Sequence, residues 1–166
     1  NDVAVPVGRI VYTQWLNEGG TLEADLTITK LNDDTFFVVV TDTMHRHAET
    51  WMRRHIGDRH VCITDVTSGF TQLNIQGPRS RELMQALTSA DMSNDAFPFR
   101  CAREIDINLA RVLCIRITYL GELGYELYIP TAHALHVYDF IIETGKSFDL
   151  SHAGLKALGS LRMEKA

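Results

Sequence analysis

The chain lacks the short phosphate cradles of nucleotide enzymes. It has no Gly-x-x-x-x-Gly-Lys-Ser/Thr loop and no Gly-x-Gly-x-x-Gly fingerprint, so ATP, NAD and FAD have no familiar seat on it. It has no Gly-x-Ser-x-Gly elbow to expose a nucleophilic serine. Positive charge is in deficit. Sixteen Lys and Arg stand against 21 Asp and Glu, a net charge of -5. With no basic stripe of interleaved aromatics, this argues against a nucleic-acid partner. Long apolar runs are missing too. The longest, such as Phe36-Phe37-Val38-Val39-Val40, are strand-sized, far below the ~20 residues of a membrane span. Cysteine is scarce: Cys62, Cys101 and Cys114 are odd in number and widely spaced. Cys62 and Cys114 sit in apolar strand-like runs and read as buried reduced thiols rather than disulfide partners or zinc ligands. The seven histidines include His45 and His47 around Arg46, and His133 and His136 at i, i+3. No cysteine or carboxylate pattern of zinc geometry joins them, so they read as solvated helix faces.

What is present is ordinary globular material. The chain has 166 residues, of which 45% are hydrophobic, enough for a sizeable core in one domain or two joined subdomains divided near residue 90 (about 1–90 and 91–166). Period-two alternation predicts strands over 9–16 and 21–31, with the turn Asn17-Glu18-Gly19-Gly20 between them. Residues 35–40 read as a fully buried strand, completing an antiparallel meander. An amphipathic helix over 43–56 follows. Strands are expected over 60–66 and 70–76. A helix over 79–87 has Pro78 at its start, where the missing N–H costs nothing. A strand over 103–108 and a long strand over 112–119 come next. Two helices close the chain: one from 132 to 143, ended by Gly145, and one capped by Ser151. Helices follow pairs of strands rather than every strand, so the fold class is α+β with antiparallel sheets.

Two carboxylates draw attention. Asp25 sits mid-strand, where aspartate is disfavoured. If its face is buried it needs a partner or a task; Thr27 and Thr29 on the same face fit a plain solvated surface equally well. Glu126 follows the glycine-rich stretch Leu120-Gly121-Glu122-Leu123-Gly124, which reads as a tight hairpin. In Tyr125-Glu126-Leu127-Tyr128-Ile129-Pro130, Tyr125, Leu127 and Ile129 share one face, and Glu126 and Tyr128 the other. Tyr119 lies just across the turn. A carboxylate among phenols can accept paired N–H bonds from a flat, nitrogen-rich ring. It can also be a charged residue on a wet strand face.

Four segments then resemble a known family. Asn17 through Leu26 resembles the aspartate strand of the aminomethyltransferase (glycine cleavage T-protein) family. Leu73-Asn74-Ile75-Gln76-Gly77-Pro78 resembles its strand-to-helix step, Tyr119 through Glu126 its glutamate hairpin, and Leu161-Arg162-Met163-Glu164 its late helix. The motifs come in the family's order across nearly the whole chain. Val11-Tyr12-Thr13, Asp25-Leu26-Thr27 and Arg162-Met163-Glu164-Lys165 point within it to the folate-binding C-terminal regions of dimethylglycine and sarcosine dehydrogenases. A regulatory subunit of pyruvate dehydrogenase phosphatase shares these features.

The resemblance implies a folate-binding domain with ferredoxin-like subdomains and tetrahydrofolate as cofactor. It implies that Asp25 assists one-carbon capture at the folate, that Glu126 holds the pterin edge, and that Tyr119 and Tyr12 line the ligand. FAD is expected only in a missing upstream domain, if at all. The expected partners are folate, an amine substrate, and the missing N- and C-terminal parts of one longer protein. The chain's unnatural ends (Asn1, and Leu161 to Ala166 without a stop signal) read as those of a fragment. No nucleic acid or membrane is expected. The expected location is cytoplasmic, or the mitochondrial matrix in a eukaryote. Departures qualify the picture. The family's Ala-Arg-Asp before the late helix motif is Ala157-Leu158-Gly159 here, so Leu158 cannot replace the folate-binding arginine. Thr118 and Leu120 replace the Gly and Thr around the hairpin tyrosine. The glycine cleavage reaction itself is thus less expected than dehydrogenase-type one-carbon transfer, with a non-catalytic regulatory module as the alternative.

Overall fold

The computed structural model describes residues 1–165. They form two compact units, the first Asn1–Thr67 and the second from Ser68 onward.

The first unit is a three-stranded antiparallel sheet and one helix. Its strands are β1 (Ile10–Leu16), β2 (Leu22–Lys30) and β3 (Phe36–Val40), in the order β1-β2-β3. Helix α1 (His45–His55) follows a short turn of 3-10 helix. Both alternating strands fall where their periodicity puts them. Ala24 and Leu26 of β2 are buried, as expected. The opposite face is not uniformly wet: Asp25 is exposed, but Thr29 is buried and its hydroxyl finds no partner. In the register Thr29 lies between Ile10 of β1 and Phe37 of β3, which cover that end of the face. Strand β3 is half-exposed rather than fully buried, because it is an edge strand paired only to β2. Composition alone cannot separate an edge from a centre.

The second unit has four antiparallel strands. These are β4 (Phe70–Gln76), β5 (Ala102–Ile107), β6 (Ala110–Ile115) and β7 (Gly124–Pro130), in the order β4-β7-β6-β5. Its helices are α2 (Ser80–Leu87), α3 (Ala134–Gly145) and α4 (Leu155–Met163). One sheet face carries the core: Ile75, Ile105, Val112, Tyr125, Leu127 and Ile129 pack with Leu83, Met84, Val137 and Ile141 of α2 and α3. The class is α+β with antiparallel sheets, as the strand-pair pattern predicted.

The step from β4 to α2 explains why Gly77-Pro78 stands there. Gly77 has φ of 126°, a left-handed value that favours glycine. Its N–H and the Ser80 hydroxyl both donate to the Leu123 carbonyl, at 2.8 and 3.1 Å. The step thereby anchors the residues that lead into β7.

Several sequence expectations are corrected. Residues 60–66 form no strand and carry no regular structure, and Cys62 is exposed rather than buried. Cys114 is fully buried, and burial pushes its thiol pKa up. The strand expected over 112–119 runs instead from Ala110 to Ile115, so the hairpin is not tight: residues 116–123 connect β6 to β7. Gly145 is the last residue of α3, as expected, but not through a left-handed conformation. Its φ is -62°, and it is needed because an added Cβ would lie 2.7 Å from Leu150 Cβ. The left-handed residue is Asp149, at φ of 57°. Ser151 caps nothing; Gly154 holds the N-cap position of α4.

Candidate functional site

In the first unit, the sheet brings Tyr12 and Asp25 together. Tyr12 pairs in register with Thr27 and Gln14 with Asp25, so Tyr12 and Asp25 are diagonal neighbours on one face. The Tyr12 hydroxyl donates to Asp25 Oδ2 at 3.0 Å. Both side chains are open to solvent, so burial does not force a partner on Asp25; the phenol is a local addition to an otherwise wet carboxylate. Two residues earlier, Glu23 is held from two sides. Asn17 Nδ2 donates to its Oε1 at 2.9 Å, and His47 Nε2 lies 2.8 Å from its Oε2. Asn17 foremost, opposed by desolvation and helped by His47, lowers the Glu23 pKa below the usual carboxyl range. Asn17 also accepts the Gly19 and Thr21 N–H groups through Oδ1, which sets the turn that delivers β2. A cleft of about 640 Å³ borders this turn and α1, with Trp51 and Arg54 in its lining.

In the second unit, Glu126 projects from the sheet face opposite the core. It lies between Asn74 of β4 and Ile115 of β6 in the register. The Tyr128 hydroxyl donates to Glu126 Oε2 at 2.8 Å, while Oε1 takes no hydrogen bond from any described residue. Burial raises the Glu126 pKa above the usual carboxyl range, and the tyrosine bond only partly offsets it. Tyr128, only 5% exposed, has its own pKa raised by burial and then by the neighbouring carboxylate. The result is a half-buried carboxylate with one oxygen that no described residue bonds.

Tyr119 sits in the 116–123 connection rather than on a strand, and is 56% exposed. The Arg162 guanidinium lies over its ring, 4.1 Å from the centroid. Nearby, Lys165 forms an ion pair with Glu122. Leu158 is the one residue of α4 that is even partly buried. A cleft of about 380 Å³ opens at the same connection, lined in part by Arg116, Thr118 and Glu122. Neither cleft is lined by Asp25 or Glu126. Among the described residues no cluster of three or more His, Cys, Asp or Glu is placed to hold a metal ion. No described helix is long and apolar enough to cross a membrane.

The four residues singled out from sequence therefore fall into separate pairs. Tyr12 meets Asp25, Glu126 meets Tyr128, and Tyr119 meets Arg162. Glu126–Tyr128 was legible as a shared face of one strand; Tyr12–Asp25 depended on the β1–β2 register. The third was not legible: Arg162 entered the sequence reading only as a letter in a helix motif, and a stack across 43 residues leaves no periodic trace.

Known proteins resemble the chain throughout its length. The model of the GCVT N-terminal domain matches residues 1–166. The mouse mitochondrial pyruvate dehydrogenase phosphatase regulatory subunit is 37% identical over 99% of the chain and 19% of its own length. The formaldehyde-forming 4-methylaminobutanoate oxidase of Paenarthrobacter nicotinovorans is 34% identical over 99% of the chain and 20% of its own length. The chain thus spans about a fifth of these curated relatives. In fold, the glycine cleavage system aminomethyltransferase T of Bartonella henselae superposes with a TM-score of 0.79 at 20% identity, covering 97% of this chain and 42% of that one.

Proposed function

We propose a function from one premise: the chain belongs to the family of the GCVT N-terminal domain, and is aminomethyltransferase-like in fold. On that premise the chain is the folate-binding part of a longer dehydrogenase-like protein. Its reaction is tetrahydrofolate-dependent transfer of a one-carbon unit from an N-methyl amine or aminomethyl donor. The observation that carries this reading is Glu126, a half-buried carboxylate with one oxygen bonded to Tyr128 and the other unclaimed.

The residues fit the ligand. A reduced pterin presents an amino group and a ring N–H side by side, and an ionised carboxylate accepts two such bonds at once. Glu126 offers Oε1 outright and a second lone pair on Oε2. Those N–H donors favour the ionised form and work against the desolvation that raises its pKa. Tyr128 keeps the carboxylate in place through its 2.8 Å bond. Tyr119, half-exposed, offers a ring face for stacking. Bound tetrahydrofolate supplies a nucleophilic nitrogen that takes up carbon at the formaldehyde level. Asp25, in the first unit, is the carboxylate that the family resemblance offers for accepting a proton and stabilising a cationic donor by its charge. Tyr12 orients Asp25 by donating to Oδ2. Any flavin that oxidises the amine belongs to a part of the protein outside this chain.

A second reading has its own support. The relative at 37% identity is named as a regulatory subunit, so the domain can be argued to keep the fold without chemistry. Calorimetric titration of tetrahydrofolate into the full-length protein separates the two, alongside assays of one-carbon transfer. The expected outcome is saturable binding, weakened ~10-fold or more by Glu126→Ala, as for loss of a charged hydrogen-bond partner. Asp25→Ala is expected to lower turnover with little change in affinity. Absence of binding to the intact protein would reject the folate reading and leave the regulatory one.

A further inference from the structure

Four of the seven histidines lie within residues 45–60, and two of them open α1. The helix begins with His45, Arg46 and His47, has no acidic residue in its first turn and no side-chain cap. Cations there face the positive end of the helix dipole, so the start of α1 draws its anions from other elements. His47 Nε2 lies 2.8 Å from Glu23 Oε2, and His45 Nε2 lies 2.9 Å from Asp65 Oδ2. The two pairs differ in what they hold. Glu23 belongs to β2, which strands on both sides already fix. Asp65 belongs to residues 57–66, which form neither helix nor strand. Only Ile63 of that segment is even half-buried, so polar contacts with α1 fasten it. Arg53 Nη2 donates to the Ile63 carbonyl at 3.3 Å, Arg59 Nη1 donates to the His55 carbonyl at 3.2 Å, and His45 meets Asp65. Asp65 stands just before the second unit begins at Ser68. His45 therefore holds the connection where it leaves the first unit.

Only one of these contacts changes charge near neutral pH. Arg53 and Arg59 stay protonated throughout. Thr67 foremost, opposed by desolvation and helped by His45, keeps the Asp65 carboxyl below its usual range; the Thr67 N–H donates to Asp65 Oδ1 at 2.9 Å. Asp65 is thus ionised wherever a histidine titrates. Histidine is the side chain that ordinarily gains its charge between about pH 5 and pH 8. A protonated imidazole gives a carboxylate a charge-assisted bond, and a neutral ring gives an ordinary one. The other charged neighbours of His45 are engaged or are cations. Glu49, one turn on, is taken by Arg53 at 2.7 Å. Asp42, in the preceding turn, accepts the Thr43 N–H at 2.8 Å. Arg46 and His47 flank it in the chain. We propose that His45 is a pH-sensitive latch on the connection between the two units: charged, it holds Asp65 and the 57–66 segment against α1, and neutral, it lets the segment open. The device goes beyond the folate reading and does not depend on it. It is tightest where the imidazole is protonated and Asp65 ionised, and it loosens as pH rises through the histidine range. Both side chains are partly exposed, by 39% and 43%, so the effect is small and screened by salt.

The test is hydrogen exchange of the 57–66 amides in the full-length protein, read by mass spectrometry at about pH 5.5 and about pH 8, either side of the ordinary histidine midpoint. Rates are corrected for the intrinsic dependence of exchange on pH. The variants are His45→Gln, which keeps an amide donor but cannot titrate, and Asp65→Asn, which removes the anion. His47→Gln and His60→Gln serve as controls, and thermal unfolding is recorded for each variant. In the unaltered protein the segment is expected to open up to about five-fold more at the higher pH, the upper range of an exposed ion pair. That difference should vanish in His45→Gln and in Asp65→Asn and shrink in raised salt. It should persist in His47→Gln and in His60→Gln, whose histidine lies in the segment itself. Equal opening at both pH values in the unaltered protein would overturn the latch. So would a pH response that survives His45→Gln or Asp65→Asn, or one that disappears with His60→Gln. If His45→Gln fails to fold, Asp65→Asn and the response of the unaltered protein to pH and salt still decide the question.

Discussion

The two units bury their carboxylates in opposite ways. Glu23, in the first unit, is ringed by donors: Asn17 gives one oxygen an N–H and His47 approaches the other. Glu126, in the second, stands on a face beside buried Ile115 and Tyr128 with a single hydroxyl donor. The first is stabilised as an anion, the second penalised as one. The units differ in the same sense throughout. The second rests on a sixteen-residue apolar cluster, whereas the first, with few fully buried side chains, leans on polar turns. A donor-rich carboxylate reads as structure, because its bonding is complete. A donor-poor, half-buried one reads as a place for something else to bind, because its bonding is not.

The contrast can be broken by mutation, beginning where the effect is largest. Leu127 is fully buried in the centre of the second unit's core, so Leu127→Ala is expected to cost about 2 to 5 kcal/mol through lost transfer energy and a residual cavity. Denaturant unfolding checks it, and a cost under about 1 kcal/mol would show that this core collapses around the gap. Next comes Asn17→Ala, which removes four side-chain hydrogen bonds at the β1–β2 turn. These are partly exposed and solvent replaces them, so the expected loss is about 1 to 2 kcal/mol, seen in the same unfolding curves. If it matched Leu127→Ala, the second unit's core would not be the dominant one.

The smallest effect is a slope. The folded pKa of Glu126 is raised, so the folded state holds that proton more tightly than the unfolded chain does. Its stabilisation is present at acid pH and is lost as pH rises from the ordinary carboxyl pKa through the folded one. The folded pKa of Glu23 is lowered, so its stabilisation is present above the ordinary carboxyl pKa and is lost as pH falls through the folded one. Glu126→Gln should therefore gain stability relative to the unaltered protein as pH rises across that window, and Glu23→Gln should lose it. Urea midpoints measured over a pH series compare the two; slopes of the same sign would remove the distinction between the carboxylates.

Much of this arrangement was readable in the sequence, and the reasons for the misses are specific. β1 and β2 declared themselves because apolar and polar residue types alternate along each, even though the polar face of β2 is largely covered. β7 did so because Tyr125, Leu127 and Ile129 alternate with Glu126 and Tyr128. The run at 60–66 misled because apolar residues with no strand beside them carry the same letters as a strand. The tight hairpin misled because Gly121 and Gly124 are both turn residues, yet Gly124 already pairs with Gln76 as the first residue of β7. Asp25 and Glu126 stood out as residue types in place; Tyr128 shares the face of Glu126 on one strand, whereas the partner of Asp25 depended on register. Tyr12 reaches Asp25 only because β1 and β2 pair Tyr12 with Thr27. Arg162 reaches Tyr119 through the docking of a helix end, which no local pattern encodes.

The edge strand β3 has a consequence for anyone handling this piece of chain by itself. Phe36-Phe37-Val38-Val39-Val40 contains no charge, no proline and no glycine, and within its sheet one side of its backbone has no neighbouring strand. A strand edge with no neighbouring strand, along an uncharged run of aromatic and β-branched residues, is a template for another copy of the same run. Self-association through that edge, rather than loss of the fold, is the expected way for an isolated preparation to fail, and a single lysine at Val39 is the change that should keep it in solution.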